Sequence, residues 1–198
     1  MDVVFGIESK FYRATIIIYK VVLTNFLFLF TSLLIVTIPA SISALLYTLS
    51  GTDTAVVGKY FNHFKKSLIK TIPLGLFNLF SFLTMLSLVS DFQSKSLLLR
   101  LLLIICCSFL TIYNVGIYLI QNETTERNYF LIFRNSFVWT IMAFPKMFLA
   151  ILGFILFFYT VELFFHNSLL LFGIGAIFYV FQLIFITSMK KFQGEAHV

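Results

Sequence analysis

The residues with the means to do chemistry are few, and most of them are amides. Asn25, Asn78, Asn114 and Gln182 each interrupt a long apolar run. Polar groups in such a setting are the default functional candidates, able to line a polar path or to hold sugar hydroxyls. They also hydrogen-bond between neighbouring helices at modest gain, and that structural role is the stronger expectation for all four. Glu162 and His166 stand four residues apart, so a helix would let them pair across one turn. A proton relay is one reading of the pair. A satisfied pair at the membrane interface is the expected one, because both lie near the end of an apolar run where water reaches them.

The remaining reactive types are scattered. His63 sits among lysines and His197 in the last residues, while Cys106 and Cys107 are adjacent, a spacing at which a bridge would strain the intervening peptide. We read the two cysteines as small buried apolar side chains. No His, Cys, Asp or Glu cluster has metal-ligand spacing, so no metal is expected. With no phosphate-binding glycine loop, no cofactor is expected. Gly153, Gly173 and Gly175 are expected to be close-packing positions in helices. An intramembrane enzyme needs a nucleophile converging with a base or metal. Serines and threonines are plentiful, but no His or Asp falls mid-run to activate one, so an enzyme is not expected.

These side chains must be positioned by an overwhelmingly apolar chain. Of 198 residues 60% are hydrophobic and 11% are charged, and the mean hydropathy is +1.01. A water-soluble domain has no use for that much apolar surface. The fold class expected is therefore all-α: a polytopic membrane bundle of five to six segments forming a single domain over 1–198. The 27 phenylalanines suit lipid contact and core packing. The formal net charge of +6 excludes little by itself. Its lysines and arginines flank apolar runs, which matches membrane topology and gives no reason to expect nucleic acid as a partner. Asp2, Glu8, Lys10 and Arg13 precede an apolar run longer than a signal-peptide core, so the first apolar segment is expected to remain in place.

Spans of about 20 residues fall near Ile72 to Ser90, Leu97 to Ile120, Met147 to Phe165 and Ser168 to Met189. Ile16 to Ser50 is long for one span and short for two, with Pro39 inside it to favour a break. If it crosses once, five spans result and the N-terminus lies outside, leaving Lys10, Arg13, Lys20, Lys95 and Arg100 on the outer side. If the chain turns near Pro39 and returns, only Lys95 and Arg100 face outward. The positive-inside rule favours this second arrangement, of six segments with both termini cytoplasmic. Ala40 to Ser50 is then too short to span unaided and needs protein around its backbone.

Two stretches resemble each other at an offset of 69: Tyr60-Phe61-Asn62-His63-Phe64-Lys65-Lys66-Ser67 and Tyr129-Phe130-Leu131-Ile132-Phe133-Arg134-Asn135-Ser136, continuing to Thr71-Ile72 and Thr140-Ile141. Each precedes a proline, Pro73 or Pro145, and a long apolar run, as when an interfacial helix stops so that a spanning one can start. Elbow-plus-span units over 53–90 and 122–165 follow. Being separated by an even number of spans, they form a parallel repeat. In the first copy Val57, Phe61, Phe64, Leu68 and Ile72 fall on one helical face, and Lys59, His63, Lys66 and Lys70 on another. Such a helix can lie in the interface plane, phenylalanines in the acyl boundary and lysines among anionic head groups. In the second copy Phe130, Phe133, Phe137 and Ile141 repeat the apolar face, and Arg134 is the basic residue of the copy. Lys146, just after Pro145, can snorkel to the interface without binding anything.

The run Asn25-Phe26-Leu27-Phe28-Leu29-Phe30, then Val36-Thr37-Ile38-Pro39-Ala40, Ala44-Leu45-Leu46-Tyr47 and Tyr60-Phe61-x-x-Phe64-Lys65-Lys66, resembles the YesL-like family of bacterial membrane proteins. Arg134-Asn135-Ser136 and Pro145 resemble that family's second half. Leu34 departs from a frequent proline, and Pro39-Ala40 from a common Gly-Pro. The resemblance implies a multi-pass protein of the bacterial cell membrane, from a family without an established biochemical activity. Its members are often encoded beside carbohydrate ABC-transporter components, which implies a non-enzymatic accessory or interaction role in sugar uptake. Transporter subunits, membrane lipids and a second copy of the chain are then the candidate partners. Two other readings stand beside it: a small transporter or channel lined by the four amides, and a lipid-binding or protective protein acting against membrane-active compounds.

Overall fold

The structure, a computed structural model, describes residues 10–50, 55–90, 95–124, 128–164 and 173–195. Among these the chain is all-helical, without a strand: α1 (Lys10–Thr31), a 3₁₀ turn (Ile35–Thr37), α2 (Ile38–Ser50), α3 (Val56–Ser67), α4 (Ile72–Ser90), α5 (Leu97–Glu123), α6 (Tyr129–Phe164) and α7 (Ile174–Glu195). Four helices hold segments long and apolar enough to cross a membrane: Ala14–Thr31, Ile72–Ser90, Leu97–Glu123 and Tyr129–Val161. Helix is the expected outcome for such sequences, because in lipid every backbone amide must be satisfied within the segment.

The N-terminal apolar stretch breaks, but upstream of Pro39. Hydroxyls end α1 and build the turn: Ser32 donates to the Leu29 carbonyl at 3.1 Å, and Thr37 reaches the Thr31 and Leu34 carbonyls at 2.5 and 2.7 Å. These groups take up carbonyls that a helix end leaves unpaired. Pro39 sits in the first turn of α2, where its missing N–H costs nothing. The chain reverses, and Lys20 of α1 donates to the Leu49 carbonyl near the end of α2 at 3.3 Å. The two helices are therefore antiparallel neighbours.

Short α2 is the centre of the fold, touching α1, α3, α4, α5 and α7. Ala40, Ser41, Ser43, Ala44, Leu45, Leu46, Thr48 and Leu49 are all buried. Small residues let neighbouring backbones come close. Two of the hydroxyls turn back onto the helix, Ser41 to the Thr37 carbonyl and Thr48 to the Ala44 carbonyl, at 2.9 and 2.7 Å. Close approach also explains three glycines. A β-carbon on Gly75 would collide with the Pro39 ring, one on Gly116 would meet the Trp139 ring at 3.0 Å, and one on Gly175 would lie 2.9 Å from the Val21 carbonyl. Gly175 thus packs as expected. Gly153 does not, having open space beside it, and the two cysteines are not buried as expected: Cys106 is exposed and Cys107 half-buried on α5.

One further expectation changes. The second copy of the similar stretch is not a separate helix before Pro145: α6 runs unbroken from Tyr129 to Phe164 with Pro145 inside it. The spacing explains the difference. Pro73 follows Thr71 by two residues, whereas Pro145 follows Thr140 by five, so a full helical turn separates motif and proline in the second copy. The segment expected from Ser168 starts, within the described residues, as helix at Ile174, and its apolar part ends at Met189. Residues 168–172 lie outside the described residues.

Candidate functional site

Helix α3 buries Val56, Tyr60 and Ser67 and leaves Val57 outside. The inward stripe is thus one residue out of step with the apolar face read from the sequence. The reason is Tyr60, fully buried, whose hydroxyl is hydrogen-bonded to Thr31 at 2.7 Å. Burial pushes the Tyr60 phenol up from its ordinary value, against the opposing effect of its hydrogen bonds to Thr31 and Ser41. Phe61 packs edge-on against Tyr60 and Phe64 packs parallel to it.

That rotation brings His63, which shares a helical face with Lys59, Lys66 and Lys70, against α2 and α5. Its Nε2 lies 3.1 Å from Ser43 Oγ on α2 and 3.2 Å from Asn122 Oδ1 on α5. Ser43 Oγ donates to Asn122 Oδ1 at 2.8 Å, and Asn122 Nδ2 donates to the Ser43 carbonyl at 3.0 Å. The Tyr47 ring stacks on the imidazole, centroids 4.0 Å apart and planes 12° from parallel. Lys59 Nζ sits over the Tyr47 ring, 5.0 Å from its centroid, within cation–π reach. Burial lowers the His63 pKa from its ordinary value. The Asn122 hydrogen bond opposes that, and the nearby ammonium groups of Lys66, Lys70 and Lys59 add to it.

A serine, a histidine and an asparagine converging from three helices invite comparison with a nucleophile and its base. The hydrogen-bond pattern argues otherwise. Because Asn122 spends its N–H on the Ser43 carbonyl, its Oδ1 faces both partners and can only accept. In the tautomer that makes all of these hydrogen bonds, the hydrogen between Nε2 and Oδ1 sits on the histidine. An Nε2 that carries hydrogen cannot take the serine proton. The cluster acts as a clamp joining α2, α3 and α5.

No family model matches the chain, and neither a curated protein nor a solved structure matches it.

Three of the four amides bond between helices. Asn25 Oδ1 accepts the Gly175 N–H at 3.0 Å between α1 and α7. Asn78 donates to the Tyr118 hydroxyl at 2.7 Å and Asn114 to Ser81 Oγ at 3.0 Å, both between α4 and α5. Gln182 is buried in α7, 3% exposed. A groove of about 240 Å³ between α1, α6 and α7, lined by Ile17, Val21, Phe154 and Tyr179 among others, has a wholly apolar lining.

In the second copy, Phe133 packs on Phe77 of α4 with centroids 4.9 Å apart. Phe137 meets Phe109 and Tyr113 of α5 edge-on. Phe130 and Arg134 face outward. The Tyr129 hydroxyl donates to the Lys70 carbonyl at 3.2 Å, joining the two copies. Among the described residues no group of three or more His, Cys, Asp or Glu is assembled. Glu162 belongs to α6, but its side chain and all of His166 lie outside what the structure describes, as does His197. Ser43, Tyr47 and Asn122 escaped the sequence reading. A serine in an apolar run and an asparagine at its end look like ordinary packing and interfacial residues, and only the 79-residue contact gives them a role.

Proposed function

We propose that the chain is a non-enzymatic accessory or interaction protein of the bacterial cell membrane. On this reading the chain has six segments, and α3 is a cytoplasmic elbow lying at the interface. The single observation that carries the proposal is the Ser43–His63–Asn122 clamp. It spends the best-placed reactive side chains on fixing α3, and leaves Lys65, Lys66 and Lys70 exposed on its outer side. The antiparallel α1–α2 hairpin supports the six-segment topology with cytoplasmic termini. Burial in register supports a parallel repeat: Ser67 and Ser136, Thr71 and Thr140, and Leu74 and Ala143 are pairwise buried.

In this role the protein assists carbohydrate uptake, as the YesL-like resemblance implies, by associating laterally with an ABC-transporter subunit or with a second copy. The lateral contact falls on α4, of which only Leu74 and Ser81 are buried. Purification from native bacterial membranes in mild detergent, followed by mass spectrometry, tests the reading. Reproducible recovery of a sugar-importer permease or ATPase subunit is expected, and its consistent absence overturns the transporter association.

A further inference from the structure

Resting on the proposed placement of α3 at the interface, we propose that α3 and the turn after it read the density of anionic lipid head groups, through Lys59, Lys66 and Lys70. These lysines stand at i, i+7 and i+11, so they form one stripe about 16 Å long if the helical path continues through the turn. It does continue: Leu68 N–H bonds the Phe64 carbonyl, Thr71 N–H the Ser67 carbonyl, and Gly75 N–H the Thr71 carbonyl, at 3.1, 2.9 and 2.8 Å.

Lys66 and Lys70 are exposed, and no acidic residue occurs in the sequence between Asp53 and Asp91. The base of the stripe is rigid. The clamp holds His63 in the middle, Tyr47 supports Lys59, and Tyr129 holds the Lys70 carbonyl. The flanks are apolar, with Val57 and Ile72 about half exposed and Ile69 82% exposed. The apolar helix α4 starts two residues after Lys70. Lysines bordered by exposed aliphatics at the start of a span-length helix fit a surface that is anionic above and hydrocarbon below. A soluble acidic protein or a nucleic acid supplies only the first.

The cations are lysines. Each is a hydrated point charge on a flexible stem, without the planar fork by which arginine recognises one phosphate geometry. The stripe therefore responds to how much negative charge the leaflet carries, and not to which head group carries it. A second consequence is internal. All three ammonium groups act on His63, so head groups that neutralise them also remove part of what disfavours the imidazolium. His63 thereby becomes a reporter of lipid binding from inside the fold.

The test uses the full chain reconstituted in nanodiscs of phosphatidylcholine alone and with about 30 mol % phosphatidylglycerol. Spin-labelled phosphatidylglycerol is expected to associate at least about fivefold more strongly than spin-labelled phosphatidylcholine. The ratio is expected to fall with added salt and to match that of phosphatidylserine at equal charge. In parallel, the His63 titration followed by NMR moves upward in the anionic discs. In the triple variant Lys59→Gln, Lys66→Gln, Lys70→Gln both the preference and the extra upward movement are reduced to the background of surface potential alone. Equal association of the two lipids in well-reconstituted wild-type protein overturns the inference, as does selectivity between two head groups of equal charge. A response to soluble polyglutamate without one to phosphatidylglycerol also overturns it, pointing to an acidic protein. Failure to enter bilayers overturns instead the interfacial placement on which the inference rests. The salt and head-group comparisons need only the wild-type chain, so a poorly folding variant does not leave the question open.

Discussion

The side-chain amide of Asn122 on α5 donates to the backbone carbonyl of Ser43 on α2 at 3.0 Å, across 79 residues of sequence. This contact decides the orientation of the amide, hence the proton position on His63, hence the way α3 is held. If the amide faced the other way, its N–H would donate to the imidazole, and Nε2 would be an acceptor without hydrogen.

Removing one partner of the clamp should loosen α3 more than it unfolds the chain. For Asn122→Leu or His63→Ala the expected loss is about 1 to 3 kcal/mol, the cost of leaving half-buried polar groups unmatched. Hydrogen exchange measured by mass spectrometry should show faster exchange over Val56–Ser67, with Leu97–Glu123 little changed. Equal loss of protection in both helices would show that the cluster serves the whole bundle.

Acid should weaken the same attachment. The folded His63 pKa lies below the ordinary value of 6.5, so below pH 6.5 the unfolded chain takes up the proton more readily than the folded one. Stability from the neutral imidazole is complete above 6.5 and is lost as the pH falls toward the folded pKa. The groups acting on the ring are Ser43, Asn122, Tyr47 and the three lysines. Thermal unfolding in detergent at pH 7.5 and 5.5 should show a drop in Tm for wild type that is smaller in His63→Gln. A drop of the same size in both would move the effect elsewhere.

The glycines separate into two classes that a substitution series should resolve. Gly75→Val and Gly175→Val force a side chain into the Pro39 ring or the Val21 backbone, and overpacking of this kind costs about 1 to 3 kcal/mol. Gly153→Val meets open space and should leave Tm and expression at wild-type levels. If Gly153→Val proves as damaging as Gly75→Val, α6 contacts something in that region that this fold does not include.

Topology has a direct test at the α1–α2 turn. In a background with Cys106 and Cys107 replaced, Leu34→Cys and Lys95→Cys should label from outside with an impermeant thiol reagent, and Val57→Cys only after the membrane is opened. Labelling of Val57→Cys from outside, with Leu34→Cys silent, would reverse the orientation. It would also place the lysine stripe on the outer leaflet.

Much of the framework was legible because it follows from local rules. Apolar runs of span length become helices, and the excess length of Ile16 to Ser50 announced a break. Its position was misjudged, since a proline can start a helix as readily as stop one, and the serine and threonine hydroxyls around residues 31 to 37 supplied the stop. The amphipathic pattern of α3 was also legible. Its rotation was not, because Val56 and Val57 are equivalent by type, and it took the seat for Tyr60 against Thr31 to choose between them. Continuity of α6 through Pro145 was hidden for a similar reason. A proline inside a helix is tolerated or not according to its packing, which a sequence does not state.

Composition alone thus determined that this chain is helical with several span-length apolar segments, because the backbone's demand for hydrogen bonds in an apolar setting leaves little choice. Only the tertiary structure decided that a shorter apolar helix, α2, lies at the centre, and that Ser43, His63 and Asn122 meet. Helix order and length are local properties, summed along the chain. Which faces touch depends on side-chain volumes from several helices at once, so a contact between residues 20, 59 or 79 positions apart is settled only when they pack together.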